Sequence, residues 1–224
     1  MDSTDDQIII TKDGSNSLKS RFLNEQYHSK QGAVTEAIHV YIESGLKQIL
    51  SANVSVLEMG FGTGLNTFLT YCHSDDYTKI EFDSIESEPI SIETANQLNY
   101  LSNLDKLDLQ PVFEKLHTCE WDKQIKISEI FHFTKWNITI QEISFNKKYD
   151  LVYYDAFGPR VQPELWKPEI FKKIYDALND GGLLVTYCAN GQFKRDLSSI
   201  GFEVRAIPGP PGKREITQAF RKKQ

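Results

Sequence analysis

The sequence predicts an α/β chain: a doubly wound sheet, mostly parallel with one antiparallel strand, plus a small N-terminal hairpin and helix. Three observations carry this. From residue 33 onward, short apolar runs alternate with stretches of helical spacing, the pattern of strands joined by crossover helices. Between one such strand and the next helix lie three glycines at alternate positions, Gly60, Gly62 and Gly64. The last two apolar runs, 202–207 and 216–220, have no helix between them, so one of the two must run antiparallel.

Residues 7–11 and 18–22 read as two strands joined around Asp13-Gly14, a hairpin signal. A polar, loop-like stretch follows, from Asn24 to Gly32. Over 33–50 the apolar positions Val34, Ala37, Ile38, Tyr41, Ile42, Leu46 and Ile49 make one buried helical face, with His39 off it and solvated. Residues 54–57 are the first strand of the main sheet and 65–71 the helix after the glycines. Residues 80–85 are the second strand. Pro89 suits the first turn of a helix running to about Leu101, capped by Ser87 or Glu88. Short helices are expected over 102–130 and a third strand over 131–140. Residues 151–154 are a fourth strand, and Pro168 opens a helix that stops at Asn179-Asp180-Gly181-Gly182. A fifth strand over 183–187, a helix over 192–200 ended by Gly201, and the two closing strands complete the chain. The closing strands flank a stiff loop, Pro208-Gly209-Pro210-Pro211-Gly212.

Length and composition bound the function. The 224 residues suit one domain with a small appendage, and the apolar and charged fractions are those of an ordinary globule. No apolar run approaches the roughly 20 residues of a membrane span. Met1-Asp2-Ser3-Thr4-Asp5-Asp6 is acidic and lacks a signal-peptide pattern. Cys72, Cys119 and Cys188 are odd in number and far apart; they form no metal spacing, and a reducing cytoplasm is the simplest setting. Net charge is −6, against a generic nucleic-acid binder, but it is unevenly spread. Residues 1–146 hold 11 Lys/Arg and 22 Asp/Glu, whereas 147–224 hold 14 and 9. The C-terminal part can attract phosphate, unless its charge is simply scattered over a solvated surface.

The stretch Glu58-Met59-Gly60-Phe61-Gly62-Thr63-Gly64-Leu65-Asn66-Thr67 makes a ligand cradle, because glycine lets a ligand lie against bare main chain. The third glycine comes two residues after the second, where the dinucleotide fingerprint wants three. The shorter spacing suits a nucleoside without a pyrophosphate, chiefly S-adenosylmethionine (SAM). A tight turn with no ligand uses the same residues. Glu86 follows 22 residues after Gly64, where an acid at the end of the second strand accepts hydrogen bonds from ribose hydroxyls. Glu88 is a solvated alternative. Ligands in open α/β sheets bind outside the carboxyl ends of the strands at the topological switch. The fourth strand ends there in Asp155-Ala156-Phe157-Gly158-Pro159. Asp155 therefore faces the reactive end of a ligand on the glycine turn, or merely caps its own turn.

At these residues the chain resembles class I SAM-dependent methyltransferases, of Rossmann-like fold, and within them the MnmC/MnmD methyltransferases of tRNA wobble uridine. Three further stretches agree. Tyr27-His28-Ser29 through Gly32, with Glu36 after it, resembles the family's N-terminal Tyr-x-Ser loop. Asp155 to Pro159, with Pro163 and Trp166, resembles its Asp-Gly-Phe-Ala-Pro segment. Gly209 to Gly212 followed by Lys213-Arg214-Glu215 resembles its Gly-x-Lys-Arg-Glu signature. The likeness runs from about residue 20 to the end. It implies SAM contacts from Tyr27, Ser29, Glu58, Gly60, Phe61, Gly62, Thr63, Gly64, Asn66, Thr67, Glu86 and Asp155. It divides the chain into an N-terminal hairpin with a cofactor-covering loop, 1–32, and a methyltransferase domain, 33–224. Where the family often has an acid near the adenine, the sequence offers only Asn137 and Thr139, with backbone amides as the alternative. Ala156 replaces a more frequent glycine.

The implied reaction is methyl transfer from SAM to the amine of 5-aminomethyl-(2-thio)uridine in the anticodon stem-loop of tRNA. Asp155 orients that amine and takes its proton. Tyr27, Phe157 and Trp166 are candidates for stacking on bases. Lys213 and Arg214 meet backbone phosphate, with Glu215 holding Arg214 or the substrate amine. No metal is needed. In some bacteria such a domain is fused to an FAD-dependent oxidase that makes the amine; no FAD fingerprint is present here, so the chain looks like the stand-alone form. The rival readings are a SAM enzyme acting on a small-molecule amine, with aminopropyltransferases as cousins, and a catalytically silent nucleoside- or RNA-binding module.

Overall fold

The computed structural model describes residues 7–223; the acidic tail 1–6 and Gln224 lie outside the described residues, and so does the reading of that tail. Eight strands form the main sheet. They are β3 (Asn53–Met59), β4 (Lys79–Ile85), β5 (Ile125–Lys126), β6 (Phe131–Trp136), β7 (Tyr149–Tyr154), β8 (Leu178–Thr186), β9 (Phe202–Pro208) and β10 (Glu215–Arg221). Their order is β5-β6-β4-β3-β7-β8-β10-β9. Strands β6, β4, β3, β7 and β8 are parallel. The antiparallel strand expected near the C-terminus is β10, inserted between β8 and β9. The two-residue β5 also runs antiparallel, against β6 at the far edge. The chain leaves β3 toward β4 and β6, then returns to β7 on the other side of β3. That reversal opens a crevice at the carboxyl ends of β3 and β7.

The sheet has a core on each face because successive side chains of a strand point to opposite sides. Val56, Leu151, Tyr153 and Val185 face one layer, built with Leu65 and Phe68 of α2 (Leu65–Cys72) and Phe113 of α5 (Gln110–Thr118). Leu57, Val152, Tyr154 and Leu184 face the other, built with α6 (Pro168–Ala177) and α7 (Gly191–Ile200). The strands read as near-continuous apolar runs for this reason.

Several local expectations change. The helix expected over 33–50 keeps its buried face but not its type. It begins as α1 (Ala33–Ala37), becomes a π-helix over Ile38–Glu43, and ends as a 3₁₀ turn over Leu46–Gln48. His39 is not free in solvent; its Nε2 donates to Pro208 O at 2.9 Å. The helix expected from Pro89 breaks into α3 (Ile92–Ala95), capped by Ser91, and α4 (Tyr100–Asn103). Between them Asn99 turns its side chain out to bond Asn16 and Gly14, which a continuous helix would not allow. The third strand stops at Trp136, leaving 137–142 as loop. The turn expected at 179–182 is absorbed into β8, with a register irregularity against β7.

The N-terminal hairpin pairs β1 (Gln7–Ile10) with β2 (Asn16–Lys19), and residues 20–22 are turn rather than strand. Two strands alone are marginal in water. This pair is anchored by fully buried Leu18, by Asn16 N–H donating to Asn99 Oδ1 at 2.6 Å, and by Asp13 Oδ2 accepting the Thr35 N–H at 2.9 Å. The anchoring holds the following loop over the crevice.

Candidate functional site

The crevice is a cavity of about 930 Å³, lined by the glycine turn, the ends of β4 and β7, the loops 25–30, 138–142 and 155–165, and by Tyr187, Asn190 and Lys213. Strands β3 and β7 approach so closely at its floor that a Cβ on Gly60, at φ 89°, would sit 3.3 Å from the Asp155 carbonyl. Gly62, at φ 50°, lies under the Tyr27 ring; a Cβ there would meet it at 3.3 Å. Both positions are left-handed and need glycine. Their bare main chain is the surface that a flat ligand would rest on.

Asp155 follows β7 and is tied to the turn by its N–H, which donates to Met59 O at 3.1 Å. Its carboxylate is held from two sides. The Tyr41 hydroxyl donates to Oδ1 at 2.5 Å, and Asn66 Nδ2 donates to Oδ2 at 2.7 Å. Burial pushes its pKa up to about 7; the bonds from Tyr41 and Asn66 oppose this, nearby Glu36 adds to it, and Lys213 subtracts. A carboxyl titrating near neutrality at a cavity floor is a candidate proton acceptor.

Glu86 braces the turn. Its Oε2 accepts the Gly62 N–H at 2.9 Å, and its Oε1 accepts the Glu88 N–H at 2.8 Å. Each oxygen keeps a second lone pair for a ribose hydroxyl. Glu88 also lines the cavity and is exposed, as expected.

The other predicted residues divide. Tyr27, Ser29, Phe61, Thr63, Asn66 and Phe157 line the cavity. Tyr27 and Phe157 meet edge to face, centroids 5.0 Å apart, so both rings form one wall. Gly64 caps α2 and is off the wall. Glu58 and Thr67 are fully buried behind the turn, bonded to each other at 2.8 Å, and cannot touch a ligand. Asn137 is exposed and its N–H donates to Asp122; the neighbouring loop, Ile138 to Glu142, lines the cavity in its place.

Trp166 is 7 % exposed and packs on Tyr154, Phe171 and Phe193, with Nε1 donating to Phe157 O at 2.7 Å. It supports the Phe157 loop from below and offers no face for stacking. The C-terminal signature also behaves differently from expectation. Lys213 Nζ sits 2.5 Å from Glu36 Oε1 and 4.1 Å above the Tyr187 ring, on the cavity wall, so it is occupied there rather than offered to phosphate. Glu215 pairs with Lys194 at 2.6 Å, not with Arg214. Arg214 is exposed and off the cavity wall.

Two participants escaped the sequence reading. Tyr41 counted only as part of an apolar face, yet a buried tyrosine hydroxyl needs a partner, and Asp155 is it. It lies in the π-helix, a geometry that concentrates at functional sites. Glu36 accepts the Ser29 N–H at 2.9 Å and pairs with Lys213, strapping the N-terminal loop to the C-terminal one across the cavity.

Comparison with known proteins adds to this geometry. A family model described as S-adenosyl-L-methionine-dependent methyltransferase matches residues 105–222, the portion that carries Asp155. The chain belongs to that family. The methyltransferase is 28% identical over 213 residues to the tRNA 5-methylaminomethyl-2-thiouridine biosynthesis bifunctional protein MnmC of Marinomonas sp., covering 88% of this chain and 31% of that protein. It is 29% identical over 227 residues to the protein of that same description from Cupriavidus metallidurans, covering 94% and 33%. The chain thus spans about a third of the length of these relatives. Among solved structures, MnmC2 from Aquifex aeolicus superposes with a TM-score of 0.74 at 24% identity, over 100% of this chain and 72% of that one. Spermidine synthase from Thermotoga maritima gives 0.56 at 16% identity, over 97% and 73%. These two likenesses are of fold.

The cofactor is S-adenosylmethionine, and the residues present fit it. It carries a sulfonium and an amino group, and the cavity wall holds Glu25, Glu36, Glu86, Glu88, Glu142, Asp155 and Glu164 against Lys30, Arg160 and Lys213. The bare turn at Gly60 and Gly62 would take its flat nucleoside and Glu86 its ribose. Among the described residues no helix is long and apolar enough to cross a membrane, and no group of His, Cys, Asp and Glu could hold a metal.

Proposed function

We propose that this methyltransferase N-methylates the 5-aminomethyl group of (2-thio)uridine at the wobble position of tRNA. The single observation that carries the reading is Asp155. A carboxyl raised to about 7, held at two points on the floor of an acid-rich cavity, is poised to bind an ammonium and then keep its proton. The relatives named for the 5-methylaminomethyl-2-thiouridine modification support the same substrate. A cavity of about 930 Å³ has room for a cofactor and one nucleoside together.

When bound, S-adenosylmethionine supplies an electrophilic methyl group on sulfur. The chain does the rest. Asp155 accepts a hydrogen bond from the substrate ammonium and takes one proton from it, leaving the lone pair free. An aspartate near its usual value is too weak a base for this, and burial narrows the gap. Tyr41 and Asn66 fix the carboxylate plane, so the amine is held in line rather than merely nearby. Tyr27 and Phe157 form an aromatic wall where a splayed wobble base would stack. The loop 25–30 covers the cofactor. Lys30, Arg160 and Arg214 are exposed cations, the first two on the cavity wall, and they suit anticodon phosphates better than Lys213 does.

The amine itself would come from a separate FAD-dependent oxidase activity. The unpaired thiols Cys72, Cys119 and Cys188 fit the reducing cytoplasm.

One observation favours a second reading. Lys213 and Glu215 are engaged inside the protein, which removes two residues expected at an RNA surface and leaves room for a small-molecule amine as substrate. Labelled SAM is offered with tRNA carrying the aminomethyl group, with the free nucleoside, and with small amines, and the RNA is digested to nucleosides. Label in 5-methylaminomethyl-(2-thio)uridine from intact tRNA supports the first reading. Label only in small amines supports the second.

A further inference from the structure

Glu58 is fully buried under the glycine turn, and the cofactor cannot reach it. Its hydrogen bonding is lopsided. The hydroxyls of Thr67 and Ser84 both donate to Oε2, at 2.8 and 2.6 Å, while Oε1 is buried with no partner. Asn66 lies within hydrogen-bonding reach of Glu58. Its Nδ2 is spent on Asp155 and its Oδ1 is also buried without a partner. Two acceptors are thus orphaned on neighbouring side chains. Each would cost about 1–3 kcal/mol if left so. A single proton on Oε1 satisfies both.

An asparagine amide has two orientations of equal shape, and only its hydrogen bonds choose between them. Turned the other way, Asn66 would aim Oδ1 at the carboxylate of Asp155 and its NH₂ at Glu58. That is what an ionised Glu58 would favour. A protonated Glu58 favours the opposite.

We infer that Glu58 is a positioning residue: it keeps a proton on Oε1, donates it to Asn66 Oδ1, and so turns Asn66 Nδ2 onto Asp155. The inference rests on the reading of Asp155 as proton acceptor given above. Burial pushes Glu58 up to about 8, with Asp155 adding to the rise, which keeps the proton in place at neutral pH. The titratable groups facing Glu58 are Asp155 and Tyr153, both from the β7 side; α2 presents Asn66 and Thr67 and β4 presents Ser84, all neutral. Above about 8 the proton leaves, Asn66 loses its reason to hold Asp155, and methyl transfer slows.

The test uses the full chain and three variants. Glu58→Gln mimics the protonated acid, since its oxygen can take the two hydroxyls and its NH₂ can donate to Asn66. Glu58→Leu removes both functions. In single turnover with SAM and aminomethyl-tRNA, Glu58→Gln should be at least about tenfold faster than Glu58→Leu, because misaligned groups lose rate steeply. Glu58→Gln should also keep its rate at alkaline pH where the wild type declines. Equal rates for the two variants, or an alkaline decline in Glu58→Gln matching the wild type, overturn the inference. Infrared spectroscopy at pH 7, without cofactor or tRNA, gives a second readout. A neutral-carboxyl band should survive in Asp155→Asn and vanish in Glu58→Gln. If Glu58→Gln removes no such band, Glu58 is ionised and the inference falls. If the wild type fails to methylate the tRNA while the band behaves as stated, the substrate reading fails and Glu58 still carries its proton.

Discussion

Asp155→Asn separates chemistry from stability. The replacement fits the site: its amide oxygen accepts from Asn66 Nδ2, and its NH₂ donates to the hydroxyl oxygen of Tyr41, which rotates to accept. The fold and SAM binding should survive. What is lost is the proton acceptor, typically worth about 10²–10⁴-fold, and single-turnover methyl transfer should slow by that much. Stability should move the other way. The wild-type carboxyl titrates at about 7 folded and near 3.8 unfolded, so between those values the folded state holds a proton that the unfolded state has released. Wild-type stability therefore falls as pH rises through that window. The full shift corresponds to about 4 kcal/mol. Because the carboxyl faces a cavity open to water, about 1–2 kcal/mol is the expected loss. Asp155→Asn has no such proton to lose. Urea denaturation at pH 5 and pH 8 should show the variant gaining on the wild type by that amount at the higher pH. A transfer rate within about threefold of wild type, or a stability difference that does not change with pH, would refute the assignment of Asp155 as a buried base.

Other expectations follow from the same contacts. Glu86→Ala should weaken SAM binding by about 1.5–3 kcal/mol per charged hydrogen bond lost, and calorimetry with unchanged affinity would remove Glu86 from the site. Lys213→Ala strips the cation that opposes the rise at Asp155 and leaves Glu36 unpaired beside it. The acidic limb of the pH–rate profile should shift to higher pH, while the salt dependence of tRNA binding stays as it was. Lys30→Ala with Arg160→Ala should instead flatten the salt dependence by about one to two units, measured as the slope of log affinity against log salt. Trp166→Ala should cost about 3–5 kcal/mol of stability by opening a cavity under the Phe157 loop, read by thermal or urea unfolding.

The sequence by itself determined the architecture and the axis of the site. Alternation of apolar runs and helical stretches gives the strand order's parallel core, because each buried strand needs a crossover helix to cover it. The glycines at 60 and 62 mark a backbone that only glycine adopts, and the acids at 86 and 155 end strands whose direction follows from the topology. These are local or topological signals, carried by residue type and spacing alone. The tertiary structure decided who faces whom. The Tyr41 hydroxyl finds Asp155 across 114 positions of chain, and its helical period reported only an apolar face. Lys213 looked like a surface cation until Glu36 and Tyr187 were brought to it from distant elements. Glu58 belongs to the glycine motif by sequence, but the pleat of β3 sends its side chain into the core, away from the ligand. Trp166 could not be sorted between core and binding wall by spacing, since an aromatic after a proline-rich loop suits either. The loop's path, set by the bond from the Trp166 indole to Phe157, put it inside. Partners distant in sequence leave no periodic trace, so only the folded chain could pair a base with its positioning groups.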